Sequence, residues 1–132
     1  SDTIYKNVIC NVGKNAIAAN LAGVETYDVK ITYIATGTGA GTPAAGDTTL
    51  FTELTRNAVA TNTQASNVAT LKGFFNAAQS NGTLTNMGAF GDGSASQATA
   101  SADTGVLYSK VSISEVKTSA ETLTCLFTIT VT

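Results

Sequence analysis

The sequence predicts a mainly β protein, an antiparallel β-sandwich with one or two short helices. Three observations carry that expectation. The C-terminal stretch alternates apolar and hydroxyl residues with a period of two, as a strand with one buried face must. Threonine, a β-branched residue suited to a pleated backbone, occurs 23 times in 132 residues. Six or seven short apolar segments are separated by Gly-, Asn- and Ser-rich turn signals.

The elements follow in order. Ile4 to Val12 reads as a first strand or extended arm. Lys14 to Ala22 reads as a short helix with Ile17 and Leu21 four apart on one face, a preceding Asn able to cap it, and Gly23 where a left-handed residue ends a helix. Its narrow apolar stripe is expected to lie across a sheet edge. Tyr27, Val29, Ile31, Tyr33 and Ala35 alternate with mostly polar neighbours, which predicts a half-buried strand. Gly37 to Gly46 breaks all periodicity and is expected as a surface loop, after which Asp47 can cap a helical turn through Leu50, Phe51 and Leu54.

Arg56 to Thr61 and Val68 to Asn76 read as a pair of strands separated by the polar Asn62–Asn67. Asn81-Gly82 signals a turn into a strand from Thr83 to Phe90. Gly91 to Gly105 is expected as a second loop whose Ser/Ala/Thr/Gln composition offers nothing to bury. Val106–Val116 and Thr122–Thr132 are strands, and Lys117–Glu121 is expected to join them as a hairpin. In the last strand Leu123, Cys125, Phe127, Ile129 and Val131 face one way and threonines the other, with Leu126 alone out of place.

Length and composition predict one β-sandwich domain over residues 1–132 with an N-terminal arm of about residues 1–12. Charged residues are only 12% of the chain, so hydroxyls hydrate the surface without repelling neighbouring copies. The seven basic residues are scattered and the net charge is −2, which argues against nucleic acid as a partner. No apolar run approaches the ~20 residues that span a bilayer, so no membrane partner is expected. The start Ser-Asp-Thr-Ile-Tyr-Lys lacks the apolar stretch of a secretion signal, so a signal has been removed or the protein reaches its destination without one. Cys10 and Cys125 could meet in a disulfide if the terminal strands pair, but two separate buried free thiols are the plainer reading.

No enzymatic activity is expected, and no catalytic, cofactor-binding or metal-binding residues are assigned. The chain has no histidine, which removes the commonest general base and most zinc sites. A carboxylate pair could still hydrolyse a glycoside, but the aromatic platforms of a sugar cleft are thin without Trp. Gly37-Thr-Gly39-Ala-Gly41 lacks the Lys and long helix of a phosphate loop. Asp92 and Asp103 lack the regular acid spacing of a calcium loop. Tyr5, Tyr27, Tyr33 and Tyr108 could stack on a host-surface glycan, but at strand spacing they read better as packing residues.

Several segments, in order, resemble a family of tailed-bacteriophage virion proteins found in tail fibres, baseplates and related appendages. They are Asn11-Val-Gly13-Lys-Asn-Ala-Ile17-Ala-Ala-Asn-Leu21, Ile31-Thr-Tyr-Ile-Ala-Thr-Gly37-Thr-Gly39, Thr42-Pro43-Ala-Ala-Gly-Asp47-Thr48 and Leu50-Phe-Thr-Glu53-Leu-Thr-Arg56. Later come Asn81-Gly82-Thr83-Leu84, Gly88-Ala-Phe90, Val106-Leu-Tyr-Ser-Lys110-Val111 and Lys117-Thr118. Each segment is a weak strand-and-turn signal, and their common order over nearly the whole chain makes the resemblance. The chain departs from the family pattern at Thr85-Asn86-Met87-Gly88, where a Glu is usual, and in an elongated Gly91–Gly105 loop.

The resemblance implies a non-catalytic structural protein on the virion exterior, in a tail, baseplate, neck appendage or capsid-decorating position. It would be assembled in the bacterial host cytoplasm as a symmetric homo-oligomer docked to other virion proteins. A carbohydrate-binding adhesin module and a secreted filament subunit are the rival readings. The arm from Ser1 to about Val12 and the Gly91–Gly105 loop are the expected contacts with other subunits.

Overall fold

The computed structural model describes residues 3–132. The elements run β1 (Asn7–Ile9), α1 (Asn11–Leu21), β2 (Lys30–Gly37), β3 (Glu53–Ala58), β4 (Thr61–Ala65), β5 (Val68–Phe75), β6 (Gly82–Asp92), β7 (Val106–Lys117) and β8 (Leu123–Thr130). They form a five-stranded sheet ordered β1-β7-β6-β2-β3 and a three-stranded sheet ordered β4-β5-β8. Every pairing is antiparallel. The two sheets pack together as the expected β-sandwich.

Pleat alternation gives the larger sheet two buried faces. On the inner face Ile34, Met87, Val111 and Ile113 meet Leu71, Phe75 and Phe127 of the smaller sheet. On the other face Ala35, Phe90 and Leu107 cluster with Cys10, Leu50 and Ala98, which come from the segments around the sheet rather than from a second sheet. Adjacent residues such as Ile34 and Ala35 therefore both reach zero exposure, on opposite sides of β2. Full burial of a large apolar side chain stabilises by about 1.5–3 kcal/mol, so both faces contribute substantially to the core.

Several sequence expectations are corrected. β7 and β8 are not a hairpin: β7 already has β1 on one edge and β6 on the other, so the chain leaves Lys117, crosses to the smaller sheet and pairs β8 with β5. The Arg56 and Val68 segments lie in different sheets, because β3 pairs with β2 while β5 lies between β4 and β8. The polar separator is itself largely strand β4, exposed throughout, and therefore carries no apolar alternation to reveal it. No helical turn forms over Leu50–Leu54; Leu50 is buried under the larger sheet and Leu54 stands exposed within β3.

The helix starts three residues earlier than expected, with Cys10 at its N-cap position and no side-chain cap. Its buried face is Gly13 and Ala16, whereas Ile17 and Leu21 are 43% and 84% exposed. The cause is proximity: a Cβ on Gly13 would stand 2.9 Å from the Tyr108 Cα, so only the smallest side of the helix can lie on β7. Its end is as the sequence indicates. Gly23 has φ +71°, its N–H donates to Asn20 O, and Val24 N–H donates to Ala19 O, the paired bonds that close a helix through a left-handed residue.

Candidate assembly surfaces and buried clamps

Three of the chain's cations are inside the protein. Arg56, Lys110 and Lys117 are at most 7% exposed, and each holds a loop by its backbone carbonyls. A buried charge survives only when paired or fully hydrogen-bonded, and loop carbonyls need donors as badly as the cation needs acceptors.

Arg56 in β3 meets Glu53 through two bonds, Nε to Oε2 at 2.7 Å and Nη2 to Oε1 at 2.8 Å. Both side chains are nearly inaccessible, at 1% and 2%. Its Nη1 donates to Thr99 O and Thr104 O, each at 3.0 Å, and to Thr104 Oγ1 at 3.1 Å. The guanidinium lies 4.3 Å from the centre of the Phe90 ring, and Asp103 N donates to Glu53 Oε1. One ion pair thus fastens the segment after β6 to the sheet.

Lys110 in β7 does the same for the segment after β2. Its Nζ donates to Asp47 Oδ2 at 3.0 Å and to Thr49 O at 2.8 Å, and lies 3.2 Å from the centre of the Phe51 ring. The Asp47 carboxyl is held below its ordinary range, first by the Ala44 N–H that donates to it and then by Lys110. Asn86 grips the same segment: Phe51 N donates to its Oδ1 at 3.0 Å and its Nδ2 donates to Phe51 O at 3.1 Å. Lys117 binds the turn after β5 through Asn76 O at 2.9 Å and Asn81 Oδ1 at 2.8 Å.

These contacts explain the glycine pattern that superficially suggested a phosphate loop. A Cβ on Gly39 would meet Thr52 Oγ1 at 2.6 Å, and one on Gly41 would meet the Phe51 ring at 2.6 Å. The glycines are there so that the segment can lie flat against Phe51. The Gly91–Gly105 stretch is likewise not idle: β6 continues to Asp92, a tight turn pairs Gly93 with Ser96, and Ala98 is buried. Asp92 accepts from Ala98 N at 2.9 Å, within the fold of the same segment.

Among the described residues no group of three or more His, Cys, Asp or Glu side chains is placed to hold a metal. Tyr108 is buried and donates to Asp92 O; burial, reinforced by Glu25 and Asp92, pushes its phenol upward. Tyr5 packs on the main core and donates to Glu115 Oε2 at 2.9 Å. Tyr33 packs on the second cluster, and Tyr27 is the more open of the four at 36% exposure. Cys10 and Cys125 are free thiols in different clusters, and burial pushes each up to about 11.

What remains outside is a sparsely charged surface with isolated large apolar groups. Ile4 of the arm is 96% exposed, Leu126 66% and Val116 69%. Between the arm and β8 runs a groove of about 700 Å³, bordered by Ile4, Tyr5, Glu115, Leu123, Cys125 and Phe127. The sequence singled out the arm and marked Leu126 as out of pattern; the pairing of β8 with β5, which leaves its other edge open beside the arm, gave no sequence signal.

Compared with family models, curated proteins and solved structures, the chain matches none.

Proposed function

We propose that this chain is a non-catalytic structural protein of a tailed-bacteriophage particle, acting on the virion exterior by symmetric self-association and docking to other virion proteins. The observation that carries the reading is the ordered set of segments that resemble those of tail, baseplate and appendage proteins, from Asn11–Leu21 through Leu50–Arg56 to Val106–Val111. The architecture is compatible with it: charges are spent inside on loop clamps, leaving Lys6, Lys14, Lys30 and Lys72 as the cations outside the three clamps. A weakly charged, hydroxyl-rich exterior lets copies approach closely, and symmetry multiplies weak contacts.

The test is the composition of purified particles from the virus whose genome encodes the chain. Mass spectrometry is expected to find it at a fixed stoichiometry with capsid, portal or tail proteins, and those genes are expected beside its own. Its absence from washed particles, with secretion or sugar-metabolism genes as neighbours, would overturn the reading.

A further inference from the structure

We propose that β8 is the self-association edge of this protein, and that it pairs antiparallel with β8 of a second copy across a twofold axis at Leu126. This deepens the self-association part of the reading above, on which it rests, and it names the surface and the register.

The outer edge of β8 is unpaired among the described residues. β8 is the outer strand of the three-stranded sheet, eight residues long, paired with β5 in unbroken register from Leu123 to Thr130. No backbone hydrogen bond outside that ladder involves residues 123–130, so the outward N–H and C=O groups have no partner among the described residues. Natural edges are usually blunted by shortness, charge, proline or a bulge. Here none applies: Thr122 to Thr132 contains no charged residue and no proline. The other edges differ. β1 has three residues, β3 carries Glu53 and Arg56, and β4 is Thr-Asn-Thr-Gln-Ala, which would bury almost no apolar surface on strand addition. The groove of about 700 Å³ keeps the arm clear of β8 and leaves the edge open to an incoming strand.

The residues of β8 identify the occupant as a second copy. A strand with no charge meets a copy of itself without repulsion, and β8 is self-complementary in one register. With Leu126 opposite its twin, Thr124 faces Thr128, and on the other side of the sheet Cys125 faces Phe127 and Leu123 faces Ile129. Every apolar residue meets an apolar one and every threonine a threonine, and directly opposed pairs of these kinds stabilise a sheet. Leu126, 66% exposed on an otherwise threonine-covered face, is then covered by the same residue of the partner. The product is a continuous six-stranded sheet joining the two sandwiches, an isologous contact.

The test is sedimentation of the full chain alongside Leu126→Lys, which sets two lysines opposite each other in that register. A wild-type dimer that weakens by about tenfold or more, with thermal unfolding still cooperative, is expected. Disulfide trapping tests the register independently of that variant's stability. On a Cys125→Ser background, Leu126→Cys should cross-link to itself, whereas Thr124→Cys should not, because its twin lies four residues along, about 13 Å away. Thr124→Cys mixed with Thr128→Cys should cross-link.

A wild-type oligomer untouched by Leu126→Lys, or one abolished by removing residues 1–6 with β8 intact, would overturn the β8 interface while leaving self-association standing. A chain that stays monomeric and untrapped at high concentration would also overturn it, including where particles still contain the protein. Absence from particles, by contrast, would overturn the virion reading and leave a β8 dimer untouched.

Discussion

The two faces of the five-stranded sheet are both buried and are covered by different means. One meets the three-stranded sheet through interdigitating Ile, Leu, Met, Val and Phe side chains. The other is roofed by irregular chain held down by Arg56, Lys110 and Asn86, with a thin apolar layer of Leu50, Phe90, Ala98 and Leu107 beneath. Regular strands satisfy their own backbone and can cover a core with apolar groups alone. Irregular segments bring unpaired carbonyls, so covering a core with them requires buried donors. Placing cations there supplies strong donors and removes charge from the outer surface in the same step.

The comparison predicts that the sheet-covered face fails as a unit and the loop-covered face fails locally. Truncation after Glu121 should give the largest effect. It removes Phe127, which is 5% exposed, and the partly buried Leu123, Cys125 and Ile129 from the main cluster. Burial of Phe127 alone is worth about 1.5–3 kcal/mol, and with the three partly buried residues the loss approaches the lower end of the ~5–15 kcal/mol stability of a whole domain. The truncated chain is expected to be insoluble or to lack a cooperative melt. A soluble product with a sharp transition would show that the smaller sheet is dispensable.

Arg56→Ala comes next. It strands the Glu53 carboxylate, takes one donor from Thr99 O and leaves Thr104 O unpaired, and breaking one partner of a buried pair costs about 3–5 kcal/mol. Removing the carboxylate as well, in Glu53→Ala/Arg56→Ala, should restore only part of the loss in chemical denaturation, because Thr104 O stays unpaired. Full restoration would mean that Arg56 acts as a counterion alone. Native-state hydrogen exchange should show residues 97–105 losing protection while β5 and β8 keep theirs, and uniform loss would erase the distinction between the two faces.

The same contrast decides what was legible in the sequence. Strands at the interface between the two sheets announced themselves by period-two alternation, as in Leu123-Thr-Cys-Leu-Phe-Thr-Ile of β8, and Gly23 marked the helix end correctly. Alternation says which face is buried and says nothing about which strand lies alongside, so the β7–β8 hairpin was expected although β7 had no free edge. The roofed face left no periodic trace: Arg56 and Lys110 look like ordinary scattered surface charges, and their burial follows from tertiary position alone. Ile17 and Leu21 gave a true helix signal with the wrong side assigned to the core, because contact at Gly13 is decided by Tyr108 of another element. For the surface, the sequence pointed to the arm and to the Gly91–Gly105 loop and marked Leu126 only as a break in the threonine face, because alternation does not show which strand edge is left open.

A smaller effect should appear in the dependence of stability on pH. Asp47 has a lowered pKa in the folded chain, so its contribution is present above the unfolded value near 3.9 and is lost as pH falls through the folded value. Cys10 is raised to about 11, so its neutral form is favoured by folding, and stability falls as pH rises from the unfolded value of about 8.5 towards 11. Urea midpoints are expected to decline at both ends. Asp47→Asn should flatten the acid limb, and Cys10→Ala should reduce the alkaline one in part and Cys10→Ala/Cys125→Ser further, since both thiols are raised to about 11; limbs unchanged in these variants would place the titrations elsewhere.

The smallest effect is expected to be a gain, and it isolates backbone strain in the roof from its clamps. The turn after β6 pairs Gly93 N with Ser96 O and Ser96 N with Gly93 O, with Ser94 at φ +46° and Ala95 at φ +68° between them. Two successive left-handed residues are the signature of the mirror-image hairpin turn, which fits strand twist and is normally built from Asn-Gly because a Cβ is disfavoured there. Ala95 has neither glycine's freedom nor an asparagine side chain to compensate. Ser94→Asn/Ala95→Gly should therefore stabilise the protein by about 1 kcal/mol, the relief at the turn exceeding the added entropy of the unfolded chain. Against a domain of this size that is a rise in Tm of about 4 °C. Ala95→Val should shift it the other way, since a β-branched residue tolerates positive φ least. Because Arg56 fixes the same roof independently, the gain should persist in the Arg56→Ala background; a gain that vanishes there would show that the clamp, rather than the strand register of β6, is what forces the turn into its strained form.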